Sequence, residues 1–434
     1  MPRTEITGGP SLQIDVAKPP SWTFTHGDTV IGTVIRRTPI VAPSATVTIT
    51  LFGRTKTKIT VKKSNGQSTT THHYRGRWSL IGTESTQILH QGPLHLAPGQ
   101  ASGSNYLSWP FSVTIPTKPP DTLARDHPQE QSYIPVTNLA NHQSPGTFYS
   151  SGRSGRTRSE AFVEYYLEST LRFNRGGSNE SFTATLPISV ASFSSGSEPP
   201  INREPQQAMF YSTVQSQRLL PGMEKAELTF KQKTQKLFSS SKVPTFGYKV
   251  VVQVPRQIQL GDQSPFPFVI QFHANEASIS PSIKDTTQKV QLDWVRMILK
   301  SDTDLLAPGK FSHSRTHTHD HSLKQDLGLT KAFSNLENRV VFQSTEGSQK
   351  VDIGAMFQLI LHPSALCLGN RQLTVGPSIY PDFVTYNIKH LHSLMIELSF
   401  TVALETKVHK MDVPVRILPP TRLDPSPPEY SKGQ

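Results

Sequence analysis

Two β-sandwich lobes are the architecture this sequence predicts, on three observations. Apolar and polar residues alternate in short segments, the period of strands with one buried face, while helical periodicity is almost absent. The 35 prolines and 27 glycines fall mostly between those segments, where turns use them and strand ladders do not. The same plan occurs on both sides of a Ser/Pro-rich stretch, Ser194 to Pro205, which reads as a linker.

In the first half, Leu12-Gln13-Ile14-Asp15-Val16 alternates in and out. Gly27-Asp28 supplies a turn and Val30 to Ile35 the next strand. Ala45 to Gly53 puts Val47, Ile49 and Leu51 on one face. Residues 54 to 77 read as a polar, hairpin-like excursion, and a Gly-rich loop (Gly92, Gly99, Gly103) leads to the strand Trp109 to Pro116. Residues 117 to 158, rich in Pro, Asn, Gln and Ser, read as a long surface loop that contains Gly152 to Gly155. Phe162 to Leu171 resumes the sheet and Phe182 to Val190 closes the half.

In the second half, Lys249 to Pro255 reads as a buried strand, Gly261-Asp262 as a turn, and Phe266 to Phe272 as the following strand. Val290 to Leu299 is a further strand, with a helix as the alternative. Residues 301 to 335 read as a polar loop, and Val351 to Leu361, Leu394 to Leu404 and Val413 to Leu418 as strands. The resulting division is residues 1–200, residues 201–419, and a Pro-rich tail at 420–434 expected to be disordered.

Composition narrows the class. No apolar run of about 18 residues is present, so no transmembrane helix is expected. Met1-Pro2-Arg3-Thr4-Glu5 has no apolar core of a signal peptide, so none is expected there. One cysteine, Cys367, fits a reducing compartment, and no His/Asp partner marks it as a nucleophile. The net charge of +12 favours anionic partners, but no zinc-finger spacing, aromatic–glycine RNA signature or basic helix points to nucleic acid.

The positive charge is concentrated. Residues 54 to 77 hold Arg54, Lys56, Lys58, Lys62, Lys63, Arg75 and Arg77 with no Asp or Glu, a candidate contact for acidic lipid headgroups or an acidic cargo segment. The plainer alternative is a solvated hairpin whose charges keep a sheet edge soluble. Arg153, Arg156 and Arg158 belong to the same face or to a loop. His313, His317, His319 and His321 sit at spacings that an extended strand would place on one face, as zinc or copper sites use. Without nearby Cys, and with Ser, Thr, Arg and Asp around them, they read as a polar loop, and no metal or other cofactor is expected. No nucleophile elbow, Walker loop or His-Glu-x-x-His is present, so the chain is not expected to be an enzyme.

One short motif carries a specific recognition chemistry. Pro427-Pro428-Glu429-Tyr430 is a Pro-Pro-x-Tyr peptide, the ligand of WW domains. Prolines hold polyproline II geometry before docking, so little entropy is lost when their rings stack in an aromatic groove and Tyr430 fills a second pocket. The motif follows the last expected strand, so it can be presented without unfolding anything.

Several segments together resemble the fungal arrestin-related proteins, the α-arrestins. They are Gly27-Asp28-Thr29-Val30-Ile31-Gly32, Val47 to Gly53, Trp109 to Pro116 and Val163-Glu164-Tyr165-Tyr166-Leu167, then Val254-Pro255, Phe266-Pro267-Phe268 and Tyr380-Pro381-Asp382-Phe383. The resemblance implies two arrestin-like, immunoglobulin-like β-sandwich lobes. It also implies an adaptor that recruits a WW-domain HECT ubiquitin ligase, through Pro427, Pro428 and Tyr430, to an integral membrane cargo that is then ubiquitinated and internalised. Such a protein is expected in the cytoplasm, peripherally at the plasma membrane or endosomes, with ubiquitin on one of its own lysines. The alternative is an arrestin-fold scaffold for signalling or sorting at membranes that recruits no ligase.

Overall fold

The computed structural model describes residues 4–18, 22–64, 66, 68–97, 106–120, 128–136, 142–175, 178–194, 204–230, 232, 242–308 and 316–421. Its strands run in chain order as β1 (Gln13–Val16), β2 (Phe24–Thr25), β3 (Thr29–Arg36), β4 (Ile40–Ser64), β5 (Thr69–Ile81), β6 (Gln87–Leu96), β7 (Leu107–Thr114), β8 (Phe148–Ser154), β9 (Thr157–Arg175), β10 (Ser178–Ile188) and β11 (Val190–Ala191). They continue as β12 (Pro205–Gln215), β13 (Thr245–Pro255), β14 (Gln257–Gln259), β15 (Val269–Ala274), β16 (Lys289–Ala307), β17 (His317–Asp326), β18 (Val340–Gln343), β19 (Gln349–Asp352), β20 (Leu359–His362), β21 (Ala365–Leu368), β22 (Arg371–Gln372), β23 (Phe383–Val384), β24 (Ile388–Val402) and β25 (Glu405–Leu418). Two short helices, α1 (Leu329–Ser334) and α2 (Ile353–Phe357), accompany the strands.

The fold is all-β, with two sandwich lobes. In the first, a sheet β1-β3-β7 faces a sheet β10-β9-β4-β5, to which β6 and β8 add. Val30, Val34, Phe111 and Val113 of the smaller sheet share one core with Val47, Ile49, Leu51, Val163 and Leu167 of the larger. In the second, β12-β13-β15-β19 faces β14-β25-β24-β16-β17. Tyr248, Val250, Val252, Ile270 and Phe272 meet Leu292, Val295, Ile396, Leu398 and Phe400 in a separate core. Each buried Leu, Ile, Val or Phe side chain contributes roughly 1.5–3 kcal/mol by leaving water.

Three long strands join the lobes. β4 has 25 residues, about 80 Å at the strand rise. Along one edge it pairs first with β6 and then with β5, while β9 follows the other edge from Ala45 to Val61. The change of partner occurs at a bulge beside Gly53, where a Cβ would lie 2.8 Å from the Tyr165 ring. β16 makes the corresponding run in the second lobe, pairing with β18 near its start and with β17 from Ile298 onward. The lobes interlock where these extensions meet: Leu305, Tyr386 and Ile388 of the second half lie in the core of the first.

Several expected loops are ordered elements. Residues 301 to 335 are not a polar loop, because β16 continues to Ala307, β17 spans His317–Asp326 and α1 follows. His319 and His321 of β17 meet serine hydroxyls of the other lobe and His317 meets the Tyr74 ring, so no hydrophobic alternation marks the strand. Within 117 to 158, β8 adds to the edge of β9 and buries Phe148, with His142 and Ser144 also buried. Gly152 belongs to β8, and only Gly155, at φ +56°, forms the hairpin turn. The stretch Val351 to Leu361 is not one strand: Asp352 caps α2 by accepting the Ala355 N–H at 3.0 Å, and β20 follows. Gly27 takes φ +91°, and the Asp28 carboxylate accepts the Thr25 N–H at 2.9 Å, as expected of the Gly-Asp turn.

Candidate functional site

The distal half of β4, with β5, β8 and β9, forms a four-stranded surface whose two faces differ in chemistry. Side chains alternate along each strand and directly paired residues share a face. The register therefore puts Thr55, Thr57 and Ile59 beside Trp78, Gly76 and Tyr74 of β5. On the same face lie Val163, Ala161 and Ser159 of β9, then Phe148, Ser150 and Gly152 of β8. The opposite face carries Arg54, Lys56, Lys58, Thr60 and Lys62 with Arg77, Arg75 and His73, then Glu164, Phe162, Glu160 and Arg158, then Tyr149, Ser151 and Arg153.

The first face docks the second lobe through neutral groups. Thr55 Oγ1 donates to Asn387 Oδ1 at 2.6 Å, Asn387 Nδ2 donates to Thr57 Oγ1 at 3.1 Å, and Thr57 Oγ1 donates to the Leu306 carbonyl at 2.5 Å. Thr55, Thr57 and Asn387 are buried, so these bonds satisfy groups that would otherwise be costly. Gly76 makes the approach possible, since a Cβ there would lie 2.5 Å from Thr57 Oγ1 and 3.0 Å from the Leu306 carbonyl. Beside it Trp78 stacks on Tyr386, centroids 4.4 Å apart, and Phe148 packs edge-on against Tyr380 and Phe383 at 4.9 Å.

The junction continues through imidazoles. His321 is buried with Nε2 2.6 Å from Ser150 Oγ and Nδ1 2.8 Å from Ser159 Oγ. Ser159 Oγ also lies 3.0 Å from His319 Nδ1, and its single proton serves only one of the two rings. Thr303 Oγ1 donates to Ser150 Oγ at 3.5 Å and lies 2.9 Å from His390 Nδ1. Burial, with the neighbouring His319, lowers the His321 pKa to about 4 against the opposing pull of Asp320. Burial likewise holds His390 well below the usual imidazole range.

The second face is cationic, though not in the way the sequence suggests. The segment 54 to 77 has no carboxylate of its own, but β9 supplies two. Glu164 takes Arg54 Nε at 2.6 Å and Lys56 Nζ at 2.5 Å, and accepts the Thr4 N–H at 3.1 Å. Burial pushes the Glu164 carboxyl up, but Lys56, Thr4 and Arg54 together outweigh it and hold the group below the usual carboxylate range. Lys56 is 3% exposed at its side chain and lies over the Phe162 ring, so it is not a surface contact. Arg54 rests on the Tyr166 ring. Lys58 pairs with Glu160 at 3.4 Å, and Arg158 shares that carboxylate at 3.0 Å.

Of the seven expected cations, Lys62, Lys63, Arg75 and Arg77 are exposed, and Lys63 alternates to the other face at the strand end. Arg153 and Arg158 are paired across the β8–β9 hairpin and join Lys58, Lys62, Arg75 and Arg77 on the cationic face. The Arg156 carbonyl accepts the Lys62 N–H at 3.1 Å, bringing the two hairpin tips together. His317 stacks on Tyr74 at 3.6 Å and the His321 nitrogens are engaged by serines, so these side chains are lobe contacts. No group of three or more His, Cys, Asp or Glu suited to a metal occurs among the described residues. His313, Pro427, Pro428 and Tyr430 lie outside the described residues.

Sequence reasoning misses Thr55, Thr57, Ser150, Ser159, Thr303 and Asn387. Their signal is weak: five are small hydroxyl residues on strands that carry charges in between, and Asn387 is a lone amide just before β24. Among the described residues no helix is long and apolar enough to cross a membrane. Comparison with protein-family models returns no match, and comparison with curated proteins returns none.

Proposed function

We propose that this protein is an arrestin-like adaptor that brings a WW-domain HECT ubiquitin ligase to an integral membrane cargo. The observation that carries the reading is Pro427-Pro428-Glu429-Tyr430 beyond β25, the last described strand. The last described residue is Thr421, whose Oγ1 accepts from Gln259 Nε2 at 2.6 Å and which bridges to Ser194. The motif thus begins six residues past a fixed anchor. Two lobes joined through a neutral, hydrogen-bonded junction suit a binding platform, and the adaptor has no catalytic task of its own. It acts peripherally at the plasma membrane or endosomes.

The test is reconstituted ubiquitination of the full-length chain by such a ligase. The native chain is expected to acquire ubiquitin on its own lysines, and Tyr430→Ala to lose that modification with an unchanged fold. Equal modification of both would refute the reading.

A second reading, a membrane scaffold without a ligase, is favoured by the exposed cations Lys62, Arg75, Arg77 and Arg158 on one face. Each Lys or Arg near an anionic surface contributes about 1 kcal/mol. This reading requires binding to acidic vesicles that weakens with salt and does not need the tail.

A further inference from the structure

The contact between the lobes holds buried imidazoles that nothing in the adaptor reading uses. His319, Ser159, His321, Ser150, Thr303 and His390 form a continuous chain of ring nitrogens and hydroxyls, with links of 3.0, 2.8, 2.6, 3.5 and 2.9 Å. It runs from β8 and β9 of one lobe to β16, β17 and β24 of the other. The rings are pressed close: a Cβ on Gly152 would overlap the His321 side chain. The His390 ring lies 4.8 Å from that of His392 and 4.7 Å from that of Phe148.

We propose that this junction is a proton-sensitive latch, in which uptake of protons by His321 and His390 releases β8 and β9 of the first lobe from β16 and β17 of the second.

The charges around the chain support this. Pairing of Asp304 with Asp320, Asp302 with Ser322 and Lys389 with Asp304 puts these charged groups on the face of the β24-β16-β17 sheet away from His319, His321, Thr303 and His390. Asp302 is also engaged by Lys300 and Ser322. On β9, Arg158 and Glu160 flank Ser159 on the far face, and on β8 Tyr149 and Arg153 do the same around Ser150 and Gly152. On β4 and β5, Lys58 and Arg75 face away, while Tyr74 faces the junction against His317. Asp382, the carboxylate on the junction side, is taken by His392 Nδ1 at 2.6 Å and the Ile417 N–H at 3.1 Å.

An imidazolium at His321 would keep hydrogen bonds to two serines but would meet a second histidine and no free carboxylate. Protons therefore favour the separated junction, where the rings are solvated. The stabilisation tied to neutral His321 is fully present above the ordinary imidazole value of 6.5 and is lost progressively as pH falls from there toward about 4, the value imposed on His321. For His321 alone the opening equilibrium rises on the order of 30-fold between pH 7.5 and pH 5, and His390 adds to this.

The experiment is amide hydrogen exchange on the full chain at pH 7.5 and pH 5, corrected for the intrinsic pH dependence of exchange. Protection of β8 and β17 is expected to fall by 10-fold or more while that of β3 and β13 holds. His321→Gln with His390→Gln, which keep hydrogen bonding and cannot take up a proton, are expected to remove the difference. An unchanged β8 and β17, an equal loss in all strands, or the same loss in the double variant would overturn the latch. Should the variant not fold, the His321 ring is followed by NMR in the native chain. Titration near 6.5 with the junction protected refutes the proposal, and depressed titration coincident with loss of protection supports it. Ligase binding plays no part in this readout, so the latch stands or falls apart from the adaptor reading.

Discussion

The two faces of distal β4 are built from neighbouring residues and do opposite things. Thr55 and Thr57 point to the second lobe, where the Thr55 hydroxyl meets Asn387 and the Thr57 hydroxyl meets both Asn387 and the Leu306 carbonyl. Lys56 and Lys58, one step along the chain, point the other way into ion pairs with Glu164 and Glu160. The neutral face can be buried against another sandwich because each short hydroxyl costs little when hydrogen-bonded. The charged face stays open toward its tip because exposed ammonium and guanidinium groups are well hydrated. A strand with a period of two thus separates a docking surface from a cationic one without a change of element.

The sharpest break in that contrast is Glu164→Gln. It leaves the buried Lys56 without its countercharge and is expected to cost about 3 kcal/mol in urea unfolding. Glu160→Gln, one pair nearer the tip, is expected to cost less than about 1 kcal/mol, because Arg158 is solvated there. Equal losses would mean that burial does not distinguish the two pairs. On the neutral face, Asn387→Leu orphans the Thr55 hydroxyl and removes a donor to Thr57, an expected loss of about 2 kcal/mol. Thr55→Val in the same chain should recover part of it, and an unfolding series showing simple additivity would contradict the pairing.

Smaller effects sharpen the comparison. Lys62→Glu with Arg75→Glu is expected to change stability by less than about 0.5 kcal/mol, since both side chains are exposed. The same pair should markedly weaken co-sedimentation with acidic vesicles if the open face meets anionic surfaces. Vesicle binding that ignores both these substitutions and salt would leave that face without a ligand of this kind.

The sequence reveals one side of this design more readily than the other. Strands such as Val47 to Leu51 and Val250 to Val254 are legible because apolar side chains repeat on a face that meets an apolar core. β17 is not, because the partners of His319 and His321 are serines from another lobe, more than 150 residues away in the chain. The seven cations of residues 54 to 77 are visible as a cluster, yet the carboxylates that neutralise Arg54, Lys56 and Lys58 come from β9, about 100 residues later. Local composition records which charges are present, and pairing across strands decides which remain available. The Pro-Pro-x-Tyr peptide is the reverse case: the recognition proposed for it is written in four consecutive residues, Pro427 to Tyr430.

That motif allows the most direct test of the adaptor reading: calorimetry of a peptide spanning Thr421 to Gln434 against the WW domains of a HECT ligase, beside the same peptide carrying Tyr430→Ala. Micromolar binding that disappears with Tyr430→Ala is the expected result. Absence of binding by both peptides, or equal binding by both, would contradict recruitment through this tail.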